Sequence, residues 1–186
     1  RGIVSVSGTN GVFGYTLPGK DREALDAMAA ANGTAEDTRE DDAAGLAGVG
    51  SGSSAEDFTD DQGKIVQIAK ALKESGWDIA SAGWTHSYMK DMTLDQFREE
   101  MNKWLENTGV LVGNADILFY PFGAEVVYPG EKLDYLLDHD FVYLCGLWGD
   151  TDFREVTDLY MRMTRRFIDG YTLVNAPHYF TSFFNA

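Results

Sequence analysis

Chemistry near neutral pH falls first to the three histidines of this sequence, His86, His139 and His178, and to its one thiol, Cys145. An imidazole titrates close to neutrality and can ligate a metal or carry a proton. His86 lies in Ala82-Gly83-Trp84-Thr85-His86-Ser87-Tyr88-Met89-Lys90-Asp91, just after the strand-like Trp77-Asp78-Ile79-Ala80-Ser81, where a ligand or acid/base group would stand. His139, between Asp138 and Asp140 at a predicted helix C-terminus, reads as a solvated partner of its neighbours and of the helix dipole. His178 precedes the aromatic tail Tyr179-Phe180-Thr181-Ser182-Phe183-Phe184 and reads as packed, with ligation as the alternative. Cys145, inside the apolar run Phe141 to Leu147, reads as a buried core thiol and has no second cysteine to pair with.

The elements that must position these groups follow from hydrophobic pattern. Ile3 to Ser7 reads as a core strand running into the glycine-rich Gly8 to Tyr15. From Thr59 onward Ile65, Ile68, Ala69 and Leu72 recur at helical spacing, and Gly76 stops that helix before the strand Trp77 to Ser81. Thr93 with Gln96 makes a capping box for a helix whose apolar stripe is Phe97, Met101, Trp104 and Leu105, ending near Gly109. Asp116 to Tyr120, Glu131 to Leu137, Phe141 to Leu147 and Tyr160 to Thr164 continue as strand, helix, strand, strand. Strands separated by helices imply parallel pairing in an α/β fold, closed as a barrel or open as a doubly wound sheet. In either case the functional loops are those at the C-terminal ends of the strands, here Ala82 to Met92 and Pro121 to Gly130.

Composition sets the outer limits. The 186 residues, 44% hydrophobic and 13% aromatic, suffice for one core, so residues 1–186 are expected to form a single domain. Residues 32–57, rich in Gly, Ser, Ala and acid, read as a flexible surface insertion. With 30 acidic against 15 basic residues the net charge is -15, which disfavours nucleic acid and anionic lipid as partners. No run approaches the roughly 20 apolar residues of a spanning helix.

The stretch Gly76 to His86 resembles the second motif of the polysaccharide deacetylases, the NodB-like carbohydrate esterases, in which a glycine, a hydrophobic strand and H-[ST]-x-x-H follow in order. Phe119-Tyr120-Pro121-Phe122-Gly123 is similar to their third motif, and Met92 to Glu100 resembles the capped helix between the two. The resemblance runs well over Gly63 to Gly123 and more weakly from Arg1 to about Tyr171. It implies a distorted parallel (β/α) barrel that removes acetyl groups from N- or O-acetylated glycans outside the cell or in its envelope. It also implies zinc or another divalent cation, held by one aspartate and two histidines, that activates water, with a second aspartate as base and a late histidine as acid.

On that template His86 is the second histidine ligand, and Ala82 stands where the first should be. The T-F-D-D-G motif that supplies both aspartates occurs nowhere; Arg1 to Gly8 resembles the family's second strand, so the first strand is expected upstream of Arg1. Phe119 replaces an arginine that many relatives carry. Trp84, Tyr120, Pro121 and Phe122 are the implied substrate-binding residues, with Tyr88 beside them. Asp169, Arg166 and His178 are the candidate catalytic groups of the late motifs, while the acids in Trp148 to Phe153 read as surface charge. The alternative is a catalytically silent relative that binds sugar chains on these aromatic residues; a third reading is an α/β domain with no surviving site.

Overall fold

The computed structural model describes residues 2–9, 11–15, 17, 55–147, 153–166 and 168–179, the side chains of 55–59 excepted. Strand β1 (Ile3–Val6) leads to helix α1 (Ala55–Glu74) and strand β2 (Asp78–Ser81). Next come α2 (Leu94–Trp104), β3 (Ile117–Phe119), α3 (Glu131–Asp138) and β4 (Tyr143–Gly146). The hairpin β5 (Arg154–Val156) and β6 (Met161–Thr164) and the short α4 (Gly170–Asn175) follow. The segment 32–57 lies outside the described residues as far as residue 54. Its last residues, Ala55 to Asp57, open α1, so that helix starts ahead of the Thr59 marked by the apolar pattern.

The sheet order is β1-β2-β3-β4-β6-β5, parallel throughout except for β5, which runs antiparallel to β6. The parallel strands therefore lie side by side in chain order, with no reversal of the kind that makes a doubly wound sheet. Right-handed crossovers wound in one direction put the three crossover helices, α1 to α3, on the same face. Accordingly, Ile65 and Ala69 of α1, Phe97, Met101 and Trp104 of α2, and Leu133 and Leu136 of α3 share one core with Val6, Ile79, Leu118 and Leu144 of the sheet. Strand alternation sends the next residues to the opposite face, where Ala80, Ile117 and Cys145 form a smaller cluster with Phe119 and Met163.

Local chemistry explains the element ends. At the C-terminus of α1, Gly76 takes φ +86° and donates to Lys73 O while Trp77 N donates to Leu72 O, which is the Schellman arrangement that an L side chain at that position would strain. Thr93 caps α2 through the predicted box: its hydroxyl accepts from Gln96 N at 3.2 Å, and Gln96 Oε1 accepts from Thr93 N at 2.8 Å. The helical path does not stop at Gly109, as the sequence pattern predicts. It passes through a π-helical turn, Leu105–Gly109, and a last α turn, Val110–Val112, because Gly109 keeps right-handed helical angles and Gly113 takes the positive φ. Trp104 Nε1 donates to Val6 O at 2.9 Å, tying α2 to the C-terminal end of β1.

Candidate functional site

The C-terminal ends of five parallel strands are tied side by side. After β1, the N–H groups of Gly8 and Thr9 both donate to Trp84 O, in the loop after β2. After β3, Tyr120 N donates to Cys145 O of β4. After β6, Arg165 N donates to Gly146 O. Gly123 packs the β3 loop so tightly on Leu147 that a Cβ there would sit 2.4 Å from the Leu147 Cβ.

His86 emerges from this frame at φ +56°, and Phe122 faces it from the next loop at φ +55°. Histidine visits the left-handed region more readily than most residues, whereas a phenylalanine there is uncommon, and such backbone strain collects at functional positions. Their rings meet edge to face with centroids 5.2 Å apart, and Tyr88 stacks on the other part of Phe122 at 4.5 Å and 18°. Phe122 is 56% exposed and Tyr88 51%, so their surfaces remain open to a ligand. The imidazole of His86 bonds to the backbone of Ala82, yet its pKa lies below the ordinary histidine value because of desolvation first and the positive charge of Arg165 second. It is therefore a neutral base at neutral pH.

The turn carrying His86 is held from beneath by a buried carboxylate. Glu100 of α2 accepts from Thr85 N at 2.7 Å and from the Thr85 hydroxyl at 2.9 Å. Desolvation raises its pKa even though these bonds favour the charged form. Lys132 of α3 clamps the far side of the same loop through Met89 O and Lys90 O at 2.9 and 3.1 Å. The β3 loop has its own brace: Glu125 Oε2 accepts from Arg162 Nε at 2.9 Å and Nη2 at 2.6 Å, and that guanidinium lies 4.1 Å from the centroid of the Tyr128 ring.

The residues read from the sequence separate here. His86 and Phe122 come together at the open face. Trp84 does not line a groove: it is buried against Gly8, where a Cβ would stand 1.8 Å from its ring. Tyr120 is fully buried, its hydroxyl 2.8 Å from that of Tyr128, and Pro121 is buried at the start of the 3-10 turn Pro121–Gly123. These three shape the loop from within, because burial removes the ring faces a ligand would need. Asp169 caps α4, its carboxylate accepting from Thr172 N at 2.6 Å. Arg166 is half-buried, and His178 is exposed on the 3-10 turn Pro177–Tyr179. His139 stacks on Tyr135 at 4.1 Å and bonds to Tyr135 O. Trp148 to Asp152 and the aromatic tail from Phe180 lie outside the described residues.

Two residues escaped the sequence reading. Glu100 falls on the apolar stripe of α2, three residues after Phe97 and next to Met101, and an acid in that register is the signal of a buried acceptor. Arg165 could have been picked by parity: Met163 points to the Cys145 face, so Arg165, two residues on, points there too, and Arg166 away.

A catalytic zinc takes three protein ligands. From the expected set the described residues bring His86 to this face, while the methyl of Ala82 is buried at the other histidine position. No group of three or more His, Cys, Asp or Glu side chains able to hold a metal ion occurs among the described residues. What the described residues offer at this face is an aromatic platform, a neutral imidazole and a guanidinium. No described helix is long and apolar enough to cross a membrane. No protein-family model matches the chain, and no curated protein or solved structure is significantly similar to it.

Proposed function

We propose that this chain is a divergent polysaccharide deacetylase-type domain whose open face binds an acetylated glycan. The observation that carries the reading is the exposed Tyr88–Phe122 stack with His86 at its edge, at the C-terminal ends of the parallel strands. Sugar rings present C–H faces that pack on aromatic rings, and two stacked rings on neighbouring loops offer one such surface with an imidazole beside it for hydroxyl or acetamide groups. The unbroken strand order favours a distorted barrel of the deacetylase type over a doubly wound sheet.

Binding is the better supported part of this reading. Metal-dependent acetyl removal is the second reading, and the lowered pKa of His86 favours it, since a neutral imidazole is the form that ligates zinc or takes a proton. Calorimetric titration with an acetylated chitooligosaccharide, together with acetate release with and without chelator, separates the two. Micromolar to millimolar binding that is lost in Phe122→Gly, with no chelator-sensitive acetate release, is the expected result. Unchanged binding by Phe122→Gly would sink the proposal, and chelator-sensitive release would establish the hydrolytic reading.

A further inference from the structure

Arg165 differs from the other well-placed arginine of this end of the sheet. Arg162 sends Nε and Nη2 to the carboxylate of Glu125 and meets Glu155 at 3.6 Å. The half-buried Arg165 makes one side-chain hydrogen bond, from Nη2 to Tyr120 O at 2.8 Å, while its Cζ lies 4.9 Å from the centroid of the Phe119 ring. Its Nε is buried with no hydrogen-bond partner, and no carboxylate pairs with it among the described residues. In a chain with 30 acids and 15 bases, a guanidinium oriented by a carbonyl and an aromatic face, yet with no acid paired to it among the described residues, stands out. A half-buried charge left uncompensated is destabilising, and an arginine fork matches a carboxylate in two-point geometry.

Its position adds the second half of the case. Arg165 follows β6 on the face that carries Phe119 and Cys145, and its bond to Tyr120 O holds it at the start of the Pro121–Gly123 turn that carries Phe122. We propose that Arg165 recognises a carboxylate borne by the sugar, so that the glycan taken by this face is an acidic one, built with uronic acid residues. The inference rests on the glycan-binding reading above and specifies its substrate class. The net charge of -15 opposes any anion at long range, so recognition has to come from this local contact.

The test compares an oligogalacturonide with its methyl ester on the intact chain, by calorimetry. The acid should bind at least about tenfold more tightly than the ester, the advantage expected of one charge-assisted pair. Arg165→Gln should abolish that preference, bringing the acid down to the ester's affinity in the same variant, and Arg165→Lys should keep part of it. Because the acid and ester arms vary the ligand, the comparison on the unsubstituted protein decides the matter even if Arg165→Gln folds poorly. Equal binding of acid and ester, both weakened by Phe122→Gly, overturns the carboxylate proposal and leaves the glycan reading standing. Failure of both sugars to bind overturns both readings, and an acid preference that survives Arg165→Gln overturns the assignment to Arg165.

Discussion

Glu100 and Thr85 are joined twice, carboxylate to backbone N–H at 2.7 Å and carboxylate to hydroxyl at 2.9 Å, so a buried acid of helix α2 fixes the residue that immediately precedes His86. Truncating the acid leaves the half-buried Thr85 N–H without its acceptor and the hydroxyl with Ser87 Oγ alone. Glu100→Ala should therefore destabilise the fold by about 1 to 3 kcal/mol, while Glu100→Gln, which keeps one acceptor oxygen for Thr85 N, should cost less than about 1 kcal/mol. Urea unfolding of the pair checks this, and an equal loss for both variants would mean that Glu100 contributes packing alone.

Gly83 lies between that carboxylate and the core. At φ +73°, a Cβ would approach Glu100 Oε1 to 2.7 Å and Met89 Cε to 2.6 Å. The methionine can swing aside; the carboxylate can do so only by leaving Thr85. Gly83→Ala should cost about 2 kcal/mol from the left-handed backbone and the displaced acid. The double variant with Glu100→Ala should be less destabilised than the sum of the singles, since both break the same contact. Strict additivity in the unfolding energies would refute the coupling.

His86 should titrate below 6.5, and the order of causes makes the prediction sharper. Desolvation is the larger cause, so Arg165→Gln should raise the value without restoring it fully. The folded value is depressed, so the unfolded chain binds the proton more readily. The contribution of His86 to stability is complete above the ordinary histidine range and is lost as pH falls through that range toward the folded value. Proton NMR of the ring C–H resonances gives the titration directly. A value at or above 6.5 would show that the ring is solvated and free of the Arg165 field.

Cys145 is 3% exposed on the sheet face opposite the main core, and burial pushes its thiol up to about 11. A thiol in that state is a poor nucleophile at neutral pH. The native protein should resist a maleimide at pH near 7 for hours and react at once in denaturant. Rapid labelling of the native chain would show that this face opens in solution.

Much of the architecture was legible from local pattern. The stripe Phe97, Met101 and Trp104, the Thr93–Gln96 box, the Gly76 stop and the buried runs of β2, β3 and β4 all depend on contacts within one element, and periodicity reports those directly. The same pattern could not say that α2 runs past Gly109. Glycine there is compatible with helix, and the stop was decided by Gly113. The strand β5 was likewise invisible: it is three residues long and exists only through its pairing with β6.

The sequence by itself determined the alternation of strands and helices, the loops that would carry function, and the place of His86 at the end of a strand. Only the tertiary structure decided which side chains those loops present. Trp84 and Tyr120 read as well as Tyr88 and Phe122 for an open aromatic face, yet the first two are buried and the second two exposed. The difference lies in what packs across from them: Gly8, just after β1, covers Trp84, and the Tyr128 hydroxyl reaches Tyr120. Likewise Glu100 meets Thr85 across 15 residues and Arg165 meets Tyr120 across 45. Periodicity records which face of an element is apolar, but the convergence of separate strand ends is fixed by the order in which the crossovers lay them down.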